Sequence, residues 1–336
     1  MNQALQANEI YHGDARELLP SIEANTIACS IWSPPYFVGK SYEKYLNSYA
    51  DWRQLLADVV RLHFPIIRPG GFVVINIADI LCFADPKMPR IQAETVNQRR
   101  SPVSKDDVLL AKTKFPNYNR DQLAATLGCS EQTIDRRLNG NNIRGGKYAT
   151  QTRVKMVAGA VEMWARRAGF YLYDRRVWVK DPAWQNCEWH SSSYRSVDEF
   201  EYLYFLWKPG ITVVDRRRLS TREWAEWGSR GVWFIPSVRS NGDHEAKFPL
   251  ELPKRLIKML SDPGDTVLDC FMGSGTTAVA ALKTGRQYIG IERLSKYVEM
   301  ARKACGTFTG SSGTAEEDQG ECLARATQPM LLSAES

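Results

Sequence analysis

The 336-residue chain has only four histidines, and its seven cysteines, at 29, 82, 129, 187, 270, 305 and 322, form no Cys-x-x-Cys pair. That pattern offers neither a zinc site nor a disulfide framework. Scattered thiols in odd number suit a reducing cytoplasm. No run of about 18 apolar residues occurs, so no segment reads as a membrane span. Residues 1–8 are polar and lack the apolar core of a signal peptide. No Gly-Lys-Ser/Thr closes a glycine loop, which removes the P-loop, and no three-glycine dinucleotide fingerprint is found.

What is present is an ordinary globular composition, 43% hydrophobic and 24% charged, long enough for one large α/β domain plus an insertion. The chain is organised around Ser33-Pro34-Pro35-Tyr36. Residues 27–32 are apolar and read as a buried parallel strand, so the tetrapeptide lies just past its C-terminal end. Ligands bind at that edge of open α/β sheets. The two prolines have fixed φ and no N–H, and Ser33 before a proline is held extended. The result is a stiff rim of oxygen acceptors beside the flat face of Tyr36, suited to a planar group carrying an NH2. Taken alone, the same four residues read first as a rigid strand-to-loop turn.

A second stretch, residues 266–277, reads Thr-Val-Leu-Asp-Cys-Phe-Met-Gly-Ser-Gly-Thr-Thr. It predicts a short buried strand ending at Asp269, a turn through Phe271, Gly273 and Gly275, and a helix opening at Thr276. The glycines allow close backbone approach to a ligand. The next strand, 287–291, leads into Glu292, placed to accept bonds from ribose hydroxyls. Asp269 is placed to meet an ammonium group. A ribose binder and an ammonium binder without a phosphate cradle suit S-adenosylmethionine better than a dinucleotide.

With both motifs in view, the chain resembles the exocyclic-amino DNA methyltransferases. Ser33-Pro34-Pro35-Tyr36 precedes Asp269-x-Phe271-x-Gly273-x-Gly275, which resembles the β-class of that family. The resemblance covers residues 8–85 and 160–305. It implies a Rossmann-like methyltransferase sheet, circularly permuted, that binds S-adenosylmethionine and methylates a base flipped out of double-stranded DNA. Ser-Pro-Pro-Tyr favours N4 of cytosine, with N6 of adenine as the alternative. No cysteine follows a proline, whereas the C5-cytosine enzymes carry a nucleophilic Pro-Cys. No metal is implied. A homodimer and a cognate restriction endonuclease stay open.

The resemblance carries further residues. Gly13-Asp14 ends the first strand, where the family places the adenine of the cofactor; Asp14 is equally a helix N-cap. The segment 244–249, His-Glu-Ala-Lys-Phe-Pro, resembles a His-Pro-x-x-Phe-Pro segment against the methionine end of the cofactor. Glu245 replaces its proline, which leaves Lys247, Phe248 and Pro249 as the firmer matches. His63 lies on an amphipathic helix at 51–68 and reads as a core or surface residue.

Residues 86–150 form an insertion outside the resemblance. Residues 99–155 hold twelve Lys/Arg against five Asp/Glu, an excess of seven, while the whole chain carries +6. All the excess positive charge lies here, as expected of a phosphate-backbone binder. Residues 121–138 read as a helix-turn-helix, with small Ala124, a turn at Gly128, a Ser130 cap and Ile134 as apolar anchor; a plain αα-hairpin is the alternative. Gln132, Arg136 and Arg137 would face DNA. Two further loops are candidate DNA contacts: 181–198, with Arg195, and 210–243, with Arg216, Arg217 and tryptophans 224, 227 and 233. The domain reading is 1–85 and 151–305 for the methyltransferase halves, 86–150 for the insertion and 306–336 for a disordered tail.

Overall fold

In this computed structural model, residues 4–39, 43–89, 101–139, 152–183, 196–238 and 249–309 are described. In chain order the elements are β1 (Glu9–His12), α1 (Ala15–Leu18), β2 (Ile27–Trp32), α2 (Tyr49–Ile66), β3 (Ile67–Ile77), β4 (Ile80–Ala84), α3 (Lys105–Lys114), α4 (Arg120–Leu127), α5 (Glu131–Asn139) and β5 (Thr152–Lys155). There follow α6 (Ala158–Ala168), β6 (Tyr171–Ala183), β7 (Asp198–Trp207), α7 (Thr221–Glu223), β8 (Val232–Phe234), α8 (Glu251–Leu260), β9 (Thr266–Asp269), α9 (Thr276–Lys283), β10 (Gln287–Glu292) and α10 (Ser295–Thr309).

Eight strands join in the order β1-β10-β9-β2-β3-β7-β6-β8. The strands from β1 through β3 pair in parallel, and β7 runs antiparallel between β3 and β6. All six residues of β2 are buried, as a central strand covered on both faces requires. Its side chains alternate between two cores. Ile27 and Trp32 join the side chains of α2 and α6. Cys29 and Ile31 join those of α8, α9 and α10.

Helix α2 is amphipathic, with Trp52, Leu55, Leu56, Val59, Val60, His63 and Ile66 buried, and starts where Ser48 accepts from Asp51 N. Each such apolar side chain contributes about 1.5–3 kcal/mol by leaving water. His63 is a core residue. Its Nδ1 donates to Val59 O at 2.7 Å and its Nε2 faces Ser30 Oγ at 2.9 Å, and burial pushes its pKa down to about 4. Strand β6 runs on through Lys180, Asp181 and Pro182 to Ala183, because it pairs with β7 as far as Ala183↔Asp198.

The insertion leaves and re-enters through a two-stranded ladder, β4 with β5, in which Ile80 faces Lys155 and Ala84 faces Thr152. Its helices have a core of their own, made by Val103, Val108, Ala111, Leu123, Ala124 and Ile134. Between α4 and α5, Gly128 adopts φ 62°, and Asn119 and Gln122 form a capping box at the start of α4. The pair is thus two short helices joined by a tight turn, packed on α3. The C-terminal helix runs to Thr309, past the residue 306 boundary drawn from composition. The rest of the expected tail lies outside the described residues.

Candidate active site

Strand β2 leads through α2 to β3 on one side of the sheet, and β9 leads through α9 to β10 on the other. The two are hydrogen-bonded neighbours, with Cys29 opposite Val267 and Ser30 opposite Leu268. The chain therefore diverges between them, and such a switch point opens a crevice at the strands' carboxyl ends. Ser33–Tyr36 and the 269–275 turn both leave the sheet there. The rings of Trp32 and Phe271, one from each side, lie 5.5 Å apart. Two motifs far apart in sequence thus form adjacent lips of one cleft.

On one lip the glycine turn is closed by its own carboxylate. Asp269 accepts from Phe271 N at 2.9 Å and from Thr277 Oγ1 at 2.6 Å, and is 1% exposed. Here the sequence expectation needs correction. The Asp269 side chain is folded into the turn rather than presented to an ammonium, because the turn's N–H and a helix hydroxyl claim its oxygens. Burial pushes its carboxyl up to about 7, against those two bonds, and Glu292 adds to the rise. Gly273 has φ 53° and Gly275 φ 91°. A Cβ on Gly275 would come within 2.9 Å of Ala301 Cα, so glycine there lets the turn pack on α10. Thr276 is the first residue of α9.

Glu292 ends β10 and accepts from Gly273 N at 2.9 Å and Leu294 N at 2.8 Å. Burial raises its pKa, with those backbone bonds opposing. His12 at the end of β1 stands opposite Glu292 in register, which brings Asp14 to the same edge. Asp14 caps α1 through Arg16 N and pairs with Arg16 at 2.8 Å, so cap and edge position coexist. The hydrogen bond from Arg16 holds its carboxyl below the ordinary range against burial. Beside them the Arg293 guanidinium lies 3.8 Å from the centre of the Tyr45 ring. Pro249 precedes α8 and its carbonyl accepts from Leu252 N; Lys247 and Phe248 lie outside the described residues. Glu292 and Asp14 at neighbouring strand ends, beside a glycine turn without a lysine, suit a ligand bearing a diol and positive charge.

On the other lip four residues missed by sequence reasoning do the holding. Glu43, 4% exposed, accepts from the backbone N–H of Tyr36 and Phe37 through Oε1 and of Val38 and Gly39 through Oε2, all at 2.8–2.9 Å. That grip sustains φ 56° at Phe37, a left-handed conformation costly for a bulky side chain. Trp52 Nε1 donates to Pro35 O at 2.6 Å. Ser33 Oγ donates to the Tyr36 hydroxyl at 3.0 Å, and Tyr36 donates to Glu201 Oε2 at 2.5 Å. Asn76 Nδ2 donates to the Tyr36 oxygen at 3.0 Å and to Glu201 Oε2 at 2.7 Å. No sequence signal pointed to Glu43, Asn76 or Glu201: Asn76 and Glu201 lie 40 and 165 residues from Tyr36, and Glu43, seven residues on, is a lone carboxylate with no motif around it.

The expected DNA-facing residues divide. Gln132 and Arg136 are exposed on α5, whereas Arg137 Nε donates to Val103 O at 2.8 Å, which ties α5 to the insertion's own core. Arg216 is exposed; Arg217 is exposed but pairs with Asp215. Trp227 and Trp233 are 5% and 1% exposed. They therefore cannot wedge into DNA as placed, and they pack under Arg176 and Arg255 instead. Arg195 lies outside the described residues. No group of His, Cys, Asp and Glu among the described residues is arranged to hold a metal, and no helix among them is long and apolar enough to cross a membrane.

Comparison with known proteins matches this geometry. The family N6_N4_Mtase, described as DNA methylase, matches residues 27–303. The chain is 59% identical over 304 residues to the Type II methyltransferase M.BglI of Bacillus subtilis, covering 90% of this chain and 87% of that protein. The Type II methyltransferase M.SmaI of Serratia marcescens is 25% identical over 312 residues, 89% of this chain and 91% of that protein. A solved structure from Thermus thermophilus, described as a DNA modification methylase complexed with S-adenosyl-L-methionine, superposes with a TM-score of 0.57 at 24% identity over 89% of this chain and 93% of that one. The PvuII DNA methyltransferase (cytosine-N4-specific) superposes with a TM-score of 0.57 at 16% identity over 90% of this chain and 87% of that one. At these identities the two structures speak to the fold.

Proposed function

The chain belongs to the DNA methylase family, and from that premise we propose that it methylates the exocyclic amino group of a base flipped out of double-stranded DNA, N4 of cytosine in preference to N6 of adenine. The observation that carries the reading is the adjacency of the Ser33 rim and the glycine turn at one switch point. S-adenosylmethionine, when bound, supplies a methyl group made electrophilic by its sulfonium. Glu292 and Asp14 would hold its ribose and adenine end, and the Phe271–Gly275 backbone its neighbouring face.

The amino group of a base is a poor nucleophile because its lone pair is delocalised into the ring. Ser33 Oγ and the Pro34 carbonyl accept its two hydrogens, which returns the lone pair to nitrogen and aims it across the cleft. Tyr36 offers its ring to the base; stacking of this kind contributes about 1–3 kcal/mol. That offsets much of the few kcal/mol needed to extrude the base. The remainder of the catalysis is positioning. The preference for cytosine rests on Ser33 at the head of the motif.

We read the order of the two motifs as a permuted form of the methyltransferase sheet. The insertion, with Gln132 and Arg136 exposed on α5, is the segment we assign to contact with the duplex. We infer a cytoplasmic restriction-modification setting with a cognate endonuclease, a reading supported by similarity to a Type II methyltransferase. Purified protein incubated with plasmid and S-adenosylmethionine, followed by single-molecule sequencing, tests the reading. N4-methylcytosine at one recurring site is the expected result. N6-methyladenine would move the target base, and an unmodified plasmid would overturn the activity.

A further inference from the structure

Beneath the Ser33 rim lies a chain of polar side chains that the reaction as described does not use. It runs from Ser33 through Tyr36 to Glu201, and on to Lys180 and Asp198. Glu201 is 7% exposed and Asn76 3%, so both meet the loop inside the protein. Lys180 Nζ reaches Glu201 Oε1 at 2.6 Å and Asp198 Oδ2 at 3.3 Å.

The direction of each hydrogen bond can be worked out from proton counts. Lysine donates only, so Glu201 Oε1 accepts. Glu201 Oε2 lies 2.5 Å from the Tyr36 hydroxyl and 2.7 Å from Asn76 Nδ2. The Asn76 carbonyl also faces that hydroxyl, but at 3.1 Å. The carboxylate is nearer and charged, and charged acceptors make the stronger bond, so the single phenolic proton of Tyr36 points at Glu201. The Tyr36 oxygen is then an acceptor towards its other neighbours. Asn76 Nδ2 donates to it at 3.0 Å, and the Ser33 hydroxyl donates to it at 3.0 Å. With its one proton committed to Tyr36 and Asn76 Nδ2 a longer 3.4 Å away, Ser33 Oγ presents an acceptor lone pair, and no proton, to whatever enters the cleft.

We propose that Glu201 is a positioning residue for methyl transfer: through Tyr36 it locks the Ser33 hydroxyl as a hydrogen-bond acceptor, so that the rim receives an amino group and rejects a ring carbonyl. Lys180 holds the Glu201 carboxylate in place, and Asn76 braces the Tyr36 oxygen from the other side. The inference rests on the function proposed above and deepens it. A base with an amino group at the reacting position meets a matching acceptor. A base with a carbonyl there sets oxygen against oxygen, which leaves buried polar groups without partners and costs far more than a lost methyl contact. Tyr36 thus has two duties, its ring for the base and its hydroxyl for Ser33. Asn76 and Glu201 come from β3 and β7, antiparallel neighbours, so the sheet itself sets the geometry.

The test is Glu201→Gln in the full chain, assayed with a duplex carrying the site found by plasmid sequencing. The carboxamide keeps the shape yet can donate to Tyr36 and turn the chain of protons around. The expected result is a kcat lowered by at least about tenfold, the scale of one lost charge-assisted hydrogen bond, with KM for DNA and the Kd for S-adenosylmethionine held within twofold. Tyr36→Phe, which keeps the ring and removes the hydroxyl, should lower kcat in the same way. The decisive readout is a double-mutant cycle. Glu201→Gln should have no further effect in a Ser33→Ala background, since it acts through Ser33. A merely structural Glu201 would lower activity equally in both backgrounds, and that result overturns the proposal, as does an unchanged kcat. If Glu201→Gln fails to fold, Tyr36→Phe with unchanged kcat still overturns it. Wild-type protein that methylates no DNA amino group overturns the functional reading and this inference together. Active wild type with an indifferent Glu201→Gln overturns this inference alone.

Discussion

The two lips of the cleft are built by opposite means. The glycine turn is largely built from its own residues: Asp269, Gly273, Gly275 and Thr277 are close neighbours in sequence, with outside bonds only to Ile291 and Glu292 on the next strand. The Ser33 rim has one local support, Glu43, seven residues from Tyr36, and is otherwise held from outside by Trp52, Asn76 and Glu201, the last of them 165 residues away from Tyr36. A turn that supports itself can carry a binding motif from one protein to another. A rim supported by remote side chains depends on the whole sheet being in place. The cofactor side should therefore tolerate damage on the base side, and the reverse should hold less well.

The sharpest break in this comparison is Ser33→Ala. It should cut methyl transfer by about 100-fold or more, the scale of one removed group that stabilises the reacting centre, and leave S-adenosylmethionine affinity unchanged in calorimetry. Equal loss of both would mean that the lips are not separate. Next in size is Glu43→Gln. An amide is neutral and accepts through one oxygen only, so two of the four loop N–H groups keep a weaker, uncharged acceptor and two lose theirs; a bond to a charged group is worth about 1.5–3 kcal/mol. Thermal unfolding should fall by several degrees and transfer should weaken, while cofactor affinity changes little. An unchanged melting temperature would contradict the role given to Glu43.

The cofactor lip should show the stronger pH dependence. Asp269 has a pKa raised to about 7 by burial, from an ordinary 3.8. Its contribution to stability is present at low pH and is lost as pH rises through about 7, because the folded state then holds a buried carboxylate. A cationic ligand beside the turn favours the ionised form through space, without meeting the inward-folded side chain. Its affinity should therefore climb as pH rises towards and just past that pKa and level off above, with proton release during binding. Asp269→Asn should flatten that profile, and a flat profile in the wild type would contradict it. The smallest effect is on the insertion. Arg136→Ala should weaken DNA binding evenly across sequences and reduce the salt slope by about one.

Much of the cofactor lip was legible in sequence because its parts are local: strand, aspartate, two glycines, helix, then a glutamate at the next strand's end. The parallel core, the paired helices around Gly128 and the position of Ser33–Tyr36 followed from hydrophobic pattern and turn residues. Three things did not. The inward fold of Asp269 depends on Thr277 claiming an oxygen. The burial of Trp227 and Trp233 depends on β8 joining the sheet edge beside β6, although tryptophans among arginines read as a surface for DNA. Asn76 and Glu201 matter through a contact between neighbouring strands and Glu43 through its grip on the loop's N–H groups, and no spacing rule marks a lone carboxylate for either task.

The account turns on where the reacting base sits. A crystal structure of the protein with a cofactor analogue and a duplex bearing its target site measures that directly. The account predicts the extruded base against Tyr36, its amino nitrogen within hydrogen-bonding distance of both Ser33 Oγ and the Pro34 carbonyl, and the analogue on the Phe271–Gly275 side of the same crevice. A base bound away from Ser33, or an analogue seated at another edge of the sheet, would contradict it.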